Sequence, residues 1–294
     1  MKENINKENT IKITGAHSVC GIIGDPITHT LSPMIHNKLA CETNIEAIYV
    51  PFHVTNLGLE HAIKGAYALG IKGLNVTMPH KQEMFHYVSQ VDESAKKVGA
   101  INTLVYGETG YIGYNTDYIG LKMSLEENAI EWKDKNVAII GSGGAAFAAY
   151  VSVAKEARSV HLFNRTRAHA RALKDHMKNY FDTPTFIYEI PGDCSAKLDI
   201  VIQTTGIGMG THLEEMPSCT ERVLQEAPVA IDLIYYPNET LFLKYAKDKG
   251  CLCMNGFGML FYQAVKAFEL MHDIKCDKES ILNIKRDILK YMEV

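Results

Sequence analysis

Residues 75–81 place an amide, a hydroxyl and an ammonium group in one short stretch, with the sequence Asn-Val-Thr-Met-Pro-His-Lys. An apolar segment punctuated by glycine precedes it at residues 69–74 and predicts a short strand. Pro79 ends that strand, because proline has no N–H to donate and disfavours helix at the residue before it. Open α/β sheets bind ligands where strands give way to loops, so Lys81 is a candidate catalytic group. The alternative is a strand end with a solvated lysine.

Further short polar side chains lie at predicted strand ends and helix starts. Each alone has an ordinary structural explanation, such as a helix cap at Ser32 or a turn at Asn102. Together they indicate a pocket rich in hydroxyl and amide groups, which suits a small polyhydroxylated substrate. The set, with the candidate lysine, comprises Thr30, Ser32, Asn75, Thr77, Lys81, Asn102, Asn115, Asp117 and Gln263.

A second group of candidates follows the predicted strand at residues 137–140. Gly141, Gly143 and Ala146 form a Gly-x-Gly-x-x-Ala pattern that opens an alanine-rich helix. The first glycine allows a tight turn, the second lets the backbone approach a pyrophosphate, and the small third residue lets helix and strand pack closely. The start of the helix offers N–H groups and partial positive charge to phosphates. The pattern therefore predicts a dinucleotide site.

The end of the next predicted strand, at residues 160–163, indicates which dinucleotide binds. An NAD site would place an acidic side chain about 20 residues beyond the glycines to bind the ribose 2′-OH. Residues 164–167 instead read Asn-Arg-Thr-Arg. A guanidinium pairs with the 2′-phosphate of NADP, and no carboxylate repels that phosphate. NADP is the predicted cofactor, and the alternative is a solvated basic turn.

Strand-like and helix-like segments alternate along the chain and must position these groups. In the first half, strands are predicted at 19–24, 47–50, 69–74, 100–105 and 111–114, and helices at 34–40, 57–69, 92–98 and 117–128. A polar segment at 132–136 starts a second unit, with strands predicted at 137–140, 160–163, 199–202 and 229–232, and helices from 141, at 167–178, 240–249 and 256–271, and in the tail. This alternation predicts an α/β fold with mostly parallel sheets and right-handed crossovers.

Three predictions concern helix starts. Ser32 is expected at the N-cap of the first helix, with Pro33 as its first helical residue. Thr116 or Asp117 is expected to cap the helix that runs to about residue 128. Asp92 is expected to provide an acidic cap for the helix that follows it.

Composition bounds the class of protein. With 294 residues the chain is too long for one typical core, so two domains are expected. A net charge of −4 without a basic block argues against a nucleic-acid partner. The apolar runs are too short to span a membrane. The first residues are polar with no apolar h-region, so residues 1–15 are predicted to be a flexible leader rather than a secretory signal.

The cysteines and histidines show no spacing typical of a metal site. Seven cysteines are scattered, at Cys20, Cys41, Cys194, Cys219, Cys251, Cys253 and Cys276. They are predicted to be reduced thiols in a cytoplasmic protein, with no disulfide and no metal. Cys251 and Cys253 would point to the same face of a strand.

The ordered motifs resemble the shikimate dehydrogenase family over about residues 17 to 275. The matching segments are 29–33 with His36 and Asn37, 75–81, 99–103, 113–117 with Gly120, 141–146, 164–166, 205–209, 232–235, and 258–260 with Gln263. Several of these motifs are specific, and their shared order makes coincidence a poor explanation.

The resemblance implies a reversible, NADPH-dependent reduction of 3-dehydroshikimate to shikimate, in the biosynthesis of chorismate and the aromatic amino acids. It implies that Lys81 and Asp117 form the catalytic pair. It implies substrate contacts from Thr30 and Ser32 to the carboxylate with help from Tyr235, and to the ring hydroxyls from Thr77, Asn102, Asp117 and Gln263. It implies cofactor contacts from Gly141, Ser142, Gly143, Gly144, Ala145, Asn164, Arg165, Thr166, Thr205 and Gly258.

The same resemblance implies the domain organisation. A mixed or parallel α/β domain that binds substrate is expected from residues 16–116 and 256–294. A Rossmann domain that binds NADP is expected from residues 117–255. The last long helices are expected to pack back on the N-terminal domain and to carry Gln263 with them. A monomer and a homodimer are both open.

The chemistry fits the proposed pair. Hydride transfer to a ketone makes an alkoxide, so a proton donor must lie within hydrogen-bonding reach. A lysine ammonium both stabilises that charge and donates a proton, and a neighbouring carboxylate favours the charged lysine. We therefore expect Lys81 to act as an ammonium donor in the reductive direction, oriented by Asp117.

Four positions depart from the family pattern. Thr30 replaces a serine, His80 stands where phenylalanine is common, His169 replaces a second basic residue near the 2′-phosphate, and Gln203 replaces an asparagine. None removes a catalytic group. Two alternatives stay open: a quinate/shikimate dehydrogenase with relaxed cofactor use, and a non-catalytic NADP-binding sensor on the same fold.

Overall fold

The computed structural model describes residues 13–190 and 196–292, and within these residues the strands form two six-stranded sheets. The first sheet consists of β1 (Ser18–Gly24), β2 (Ala47–His53), β3 (Gly73–Val76), β4 (Gln90–Val91), β5 (Thr103–Tyr106) and β6 (Tyr111–Tyr114). Its helices are α1 (Ser32–Glu42), α2 (Leu59–Ala68), α3 (Glu93–Val98) and α4 (Asp117–Glu127). The strand order is β2-β1-β3-β5-β6-β4. β1 pairs in parallel with β2 and β3, whereas β5 is antiparallel to β3 and β6, so the sheet is mixed.

The second sheet consists of β7 (Asn136–Ile140), β8 (Ser159–Asn164), β9 (Thr185–Glu189), β10 (Ile200–Gln203), β11 (Val229–Asp232) and β12 (Leu252–Met254). The remaining helices are α5 (Gly144–Val153), α6 (Arg167–Met177), α7 (Thr220–Val223), α8 (Leu241–Asp248), α9 (Phe257–His272) and α10 (Lys278–Met292). All the pairs are parallel in the order β12-β11-β10-β7-β8-β9. The order reverses between β7 and β10, and this switch point is where doubly wound sheets bind dinucleotides.

Both faces of the second sheet are covered, which is why its central strands read as continuous apolar runs. On one face, Val137 and Ile139 of β7 pack in a core with α5. On the other face, Ala138 and Ile140 pack in a core with Phe242 of α8. The predicted α/β class with a Rossmann-type second unit is confirmed.

The last two helices return to the first sheet. Phe261 and Phe268 of α9 and Ile284 of α10 pack against Ile35 and Leu39 of α1 in one buried cluster. Burying such a face stabilises the fold by roughly 25 cal/mol for each Å² of apolar surface removed from water. The predicted return of the C-terminal helices is confirmed.

The contact between α4 and α9 brings two backbones unusually close. A Cβ placed on Gly120 of α4 would lie 2.6 Å from the carbonyl oxygen of Met259 and 2.7 Å from the amide nitrogen of Gln263. A Cβ placed on Gly258 of α9 would lie 2.0 Å from Oγ of Ser124. Glycine is therefore required at both crossings, and this joint sets α4 and α9 in a fixed relation.

We expect Gly120→Ala to lower the free energy of unfolding by about 2 kcal/mol, because the added methyl meets backbone atoms that cannot move aside. It should also raise KM for the predicted substrate, since the displaced helix carries Gln263. Urea unfolding and steady-state kinetics measure both effects.

The matched control is Gly65→Ala in the interior of α2, where a Cβ meets no atom within 4 Å. Alanine at an open helical site stabilises by about 0.5–1 kcal/mol. Equal stabilities of the two variants would contradict the close crossing of α4 and α9.

Some local predictions were wrong. The first helix begins at Ser32 itself, with Leu31 at the cap position, so Ser32 is not the N-cap. Leu31 already has helical backbone angles and its carbonyl accepts from the Ile35 amide at 3.2 Å, which moves the start one residue back. For α4, Thr116 holds the predicted N-cap position but makes no side-chain cap bond. Oδ1 of Asn115 instead accepts from the Asp117 amide at 2.9 Å. The acidic cap at Asp92 is confirmed, since its carboxylate accepts from the Ser94 amide.

The strand predicted at residues 69–74 is displaced to β3. Leu69 and Gly70 finish α2 instead, with Gly70 at a φ of +71°. Asn75 consequently lies within the strand. The short edge strands β4, β9 and β12 were not predicted, because two to five residues carry too little periodicity. Of the leader, residues 1–12 lie outside the described residues, and the division into domains stays a prediction.

Candidate active site

Lys81 and Asp117 form an ion pair, with Nζ 2.7 Å from Oδ2. Lys81 follows the turn after β3, and its carbonyl accepts from the Ile101 amide at 2.9 Å, which ties that turn to the segment before β5. Asp117 is the first residue of α4. The side chains are 30% and 12% exposed, so the ammonium is reachable while the carboxylate is largely enclosed. The two predicted catalytic residues therefore meet.

The second carboxylate oxygen of Asp117 is held by Asn102, whose Nδ2 donates to Oδ1 at 2.8 Å. Oδ1 of Asn102 in turn accepts from the Thr116 amide at 2.8 Å. Both oxygens of Asp117 thus have a fixed donor, which aligns the carboxylate on Lys81. Charge-assisted bonds of this kind are about twice as strong as neutral ones.

Gln263 reaches the same cluster from α9. Its Oε1 lies 3.5 Å from Nδ2 of Asn102 and 3.4 Å from Oγ1 of Thr116. Its Nε2 donates to the carbonyl of Leu260 at 2.9 Å. The tight joint between α4 and α9 explains why a residue 146 positions beyond Asp117 arrives here.

The residues predicted to bind the substrate carboxylate lie around the start of α1. Oγ1 of Thr30 accepts from the Ser32 amide at 3.3 Å, and Ser32 is buried. Tyr235 packs against the buried cluster of α1, α9 and α10, as do Leu31 and Met34 on either side of Ser32. Burial raises the pKa of Tyr235, so it stays a neutral hydroxyl donor.

Thr77 is placed between β3 and the catalytic turn. Its amide donates to the Ile23 carbonyl at 3.0 Å, and its carbonyl accepts from the His80 amide at 3.0 Å. A Cβ on Gly24 would lie 2.4 Å from Cγ2 of Thr77, so glycine is needed there for Thr77 to lie over the end of β1.

His80, the residue that the family pattern does not explain, is fully buried. Its Nε2 lies 2.6 Å from the carbonyl oxygen of Val54, just beyond β2. The imidazole therefore ties the catalytic turn to the neighbouring strand, and its side chain is part of the core rather than of the surface that a substrate can reach.

The glycine motif has the geometry that a pyrophosphate requires. Gly141 has a φ of +115°, and a Cβ there would lie 2.6 Å from Oγ1 of Thr204. Gly143 and Gly144 are exposed, and a Cβ on either would meet no atom of the described chain within 4 Å. The structure records no side-chain cap for α5 among its described residues, so its first amides are available to an anion. Ser142 and Ala145 are half-buried beside them.

The basic segment lies at the end of β8. Asn164 closes a turn by donating from Nδ2 to the carbonyl of Thr166 at 2.9 Å. Arg165, Arg167 and His169 are all exposed. No carboxylate pairs with Arg165 among the ion pairs of the described residues, so its guanidinium can receive a phosphate.

Two further predicted cofactor residues have structural partners. Thr205 lies beside Gly141, since a Cβ on that glycine would come within 3.0 Å of Cγ2 of Thr205. Gln203, the replacement for asparagine, is buried and donates from Nε2 to the carbonyls of Thr205 and Ile207 at 3.1 and 3.0 Å. The longer amide therefore still holds this loop. Gly258 is buried against Ser124, and its contact with a cofactor stays a prediction.

Three polar residues of this part of the structure, Thr103, Thr116 and Asp232, were given no role in binding substrate or cofactor from the sequence. Thr103 and Thr116 place hydroxyls 3.4 Å apart beside Asn102. Asp232, at the end of β11, accepts from Thr240 at 2.6 Å, and burial raises its pKa to about 6. All three lie in segments that match the family, which was the signal that could have identified them.

Among the described residues, no cluster of histidine, cysteine and acidic side chains could hold a metal ion. The helices of that part of the chain are all too short or too polar to cross a membrane. The six described cysteines are free thiols, and Cys251 and Cys253 both pack against the α8 face of the second sheet.

Comparison with known proteins identifies relatives for both parts of the chain. Residues 22–104 match the family described as shikimate dehydrogenase substrate binding domain, and residues 124–233 match the family described as shikimate / quinate 5-dehydrogenase. A shikimate dehydrogenase (NADP(+)) of Caldanaerobacter subterraneus subsp. tengcongensis is 40% identical over 274 residues, which are 92% of this chain and 97% of the relative.

Solved structures agree with these matches. A crystal structure of a shikimate dehydrogenase in complex with NADP+ has a TM-score of 0.83 and 36% identity, covering 94% of this chain and 97% of the other. The shikimate 5-dehydrogenase of Listeria monocytogenes in complex with shikimate and NAD has a TM-score of 0.85 and 28% identity, covering 95% and 99%.

Proposed function

The chain belongs to the shikimate dehydrogenase family, and on that premise we propose that it interconverts 3-dehydroshikimate and shikimate with NADP at a site centred on Lys81 and Asp117. The observation that carries this proposal is the ion pair of 2.7 Å whose carboxylate is held from behind by Asn102. A pair of this geometry presents a proton donor with a fixed direction.

The residues present fit NADP. The exposed glycines at the start of α5 leave room for a pyrophosphate, and the exposed Arg165 at the end of β8 offers a cation to a 2′-phosphate. When bound, NADPH would supply the hydride that reduces the ketone. Gly141, Gly143 and Gly144 would hold the pyrophosphate, and Asn164, Arg165 and Thr166 the adenosine end.

Lys81 completes the reduction by giving a proton to the oxygen of the former ketone. The ammonium loses that proton to the developing alkoxide, and in the oxidative direction the neutral amine takes it back from the hydroxyl. Asp117 keeps Nζ within 2.7 Å and so fixes the direction of transfer. The ring hydroxyls of the substrate would be oriented by Asn102, Gln263 and the hydroxyl of Thr77.

The start of α1 recognises the other end of the substrate. Thr30 and Ser32 supply hydroxyl donors and Tyr235 a neutral phenol, a donor set suited to a carboxylate. Holding both ends of a small ring would set the reacting carbon against the cofactor, which is the entropic part of the catalysis.

The proposed function is tested by absorbance at the nicotinamide band with purified chain, using shikimate and quinate each with NADP+ and NAD+. We expect turnover with shikimate and NADP+ to exceed the other three combinations. Equal turnover with quinate or NAD+ would favour the quinate/shikimate alternative. Cofactor binding without turnover of either substrate would favour a non-catalytic sensor.

We expect Arg165→Ala to raise KM for NADP+ about 30-fold and to leave KM for NAD+ unchanged, because a charge-assisted bond to the 2′-phosphate is lost. The matched control is Arg171→Ala, an exposed arginine one turn further along α6. An equal rise for both dinucleotides would show that Arg165 does not recognise the 2′-phosphate.

The remaining assignments belong to the same proposal. Residues 16–116 with 256–294 form the substrate domain and residues 117–255 the NADP domain. The free cysteines of the described chain are consistent with a reducing, cytoplasmic location. Sedimentation of the purified chain distinguishes a monomer from a homodimer.

A further inference from the structure

Behind the proposed catalytic pair, a line of hydrogen bonds leads from Tyr49 in β2 to the carboxylate of Asp117. The Tyr49 hydroxyl donates to Oδ1 of Asn75 at 2.7 Å. Nδ2 of Asn75 donates to Oγ1 of Thr103 at 3.1 Å, and that hydroxyl donates to Oδ1 of Asn102 at 2.9 Å. Nδ2 of Asn102 then donates to Oδ1 of Asp117 at 2.8 Å. The line crosses three strands and ends at the active site.

The backbone fixes the direction of each bond. Nδ2 of Asn75 also meets the carbonyl oxygen of Asn102 at 3.2 Å, and Oδ1 of Asn102 also meets the Thr116 amide at 2.8 Å. A carbonyl can only accept and an amide N–H can only donate, so neither side-chain amide can be turned round. Every donor in the line therefore points toward the carboxylate.

The line is shielded from water. Tyr49, Asn75, Thr103 and Asn102 are each less than 5% exposed. In such surroundings hydrogen bonds in series polarise one another, and a group that loses its partner pays the full cost of desolvation. The far end of the line can therefore influence the near end.

Tyr49 is itself held by two neighbouring residues of α1. The side chain of Asn37 bonds to both the backbone amide and the carbonyl of Tyr49, each at 2.9 Å. The ring of His36 stacks on the phenol with centroids 3.9 Å apart. Burial lowers the pKa of His36 to about 3, so this ring is neutral.

We propose that Tyr49 is a positioning residue that holds the carboxylate of Asp117 toward Lys81 without touching substrate or cofactor. The inference rests on the proposed function, because it assigns Tyr49 a role in that reaction. It extends the site two strands beyond the catalytic turn and links α1 to the catalytic pair.

Tyr49→Phe removes only the first donor of the line. We expect kcat for shikimate oxidation to fall about tenfold, the effect of one lost buried hydrogen bond, while KM for NADP+ stays within about twofold. The matched control is Tyr111→Phe, in the same sheet. Tyr111 is equally buried and donates to the Ile71 carbonyl at 2.8 Å, away from the line. Its kcat should stay within about twofold of the wild type.

Two further variants separate positioning from general stability. Thr103→Val should lower kcat as Tyr49→Phe does, whereas Thr103→Ser, which keeps the hydroxyl, should restore it. In an Asp117→Asn background, Tyr49→Phe should change the residual kcat by less than about twofold, because the group on which it acts is already altered.

The outcomes are distinct. No turnover of shikimate by the wild-type chain would overturn the proposed function and this inference with it. Wild-type turnover with equal kcat in the Tyr49→Phe and Tyr111→Phe variants would overturn the inference alone. A further tenfold fall in kcat when Tyr49→Phe is added to Asp117→Asn would also overturn the inference. A selective fall in kcat, absent in that background, would support it.

Discussion

We expect Lys81→Ala to lower kcat for shikimate oxidation by about 10³-fold, within the range that general acid–base groups contribute. Nζ of Lys81 is the group that exchanges a proton with the reacting oxygen in our proposal, and alanine offers none. Binding of NADP+ should be unchanged, because the glycine motif lies in the other sheet. Steady-state kinetics and fluorescence titration of NADPH measure the two effects.

The matched control is Lys64→Ala. Lys64 lies in α2, in the same unit as the first sheet. It forms an ion pair with Glu60 at 2.6 Å, and its side chain is 73% exposed. Such surface pairs contribute about 0–1 kcal/mol, so this variant should retain normal turnover. If Lys81→Ala kept kcat within about threefold while binding substrate, Lys81 would not be the proton donor.

The second large effect is expected for Asp117→Asn, with kcat lowered about 300-fold and KM for shikimate raised. The side-chain oxygen of the introduced asparagine can still accept the hydrogen bond from Asn102. The amide N–H of the introduced asparagine then faces the Lys81 ammonium, however, and two donors at 2.7 Å repel one another. The lysine loses its direction as well as its counter-charge.

Asp287→Asn is the control for this change. Asp287 of α10 pairs with Lys38 at 2.9 Å on the surface, so the same substitution there removes an ion pair without reaching the site. Its kinetics should equal those of the wild type. Equal kinetics for Asp117→Asn would remove the pair from the mechanism.

Much of this fold could be predicted from local sequence patterns. The glycine motif after Val137–Ile140 and the alternation of strands and helices follow from local chemistry that the tertiary structure does not override. The Lys81–Asp117 contact is different, because 36 positions separate the two residues. Only the resemblance to a family brought them together, since no spacing in one sequence encodes a contact across a sheet.

The two buried residues that depart from the family pattern share one property. His80 beside the catalytic lysine and Gln203 before the cofactor loop had no role that the sequence could explain. Both are buried and bond to backbone carbonyls, His80 to Val54 and Gln203 to Thr205. A polar side chain in a sequence shows its chemistry but not its direction, and direction is decided by the neighbouring strand. Tyr49 was hidden for the same reason.

The return of α9 and α10 to α1 has a consequence for the order of events during synthesis. The first sheet leaves the ribosome early, yet the cluster that buries Ile35 and Leu39 of α1 is completed by helices made more than 200 residues later. The second sheet has its strands β7 to β12 in one uninterrupted run and can close sooner. The unit built on the first sheet is therefore begun first and completed last, and until then its apolar face is available to chaperones.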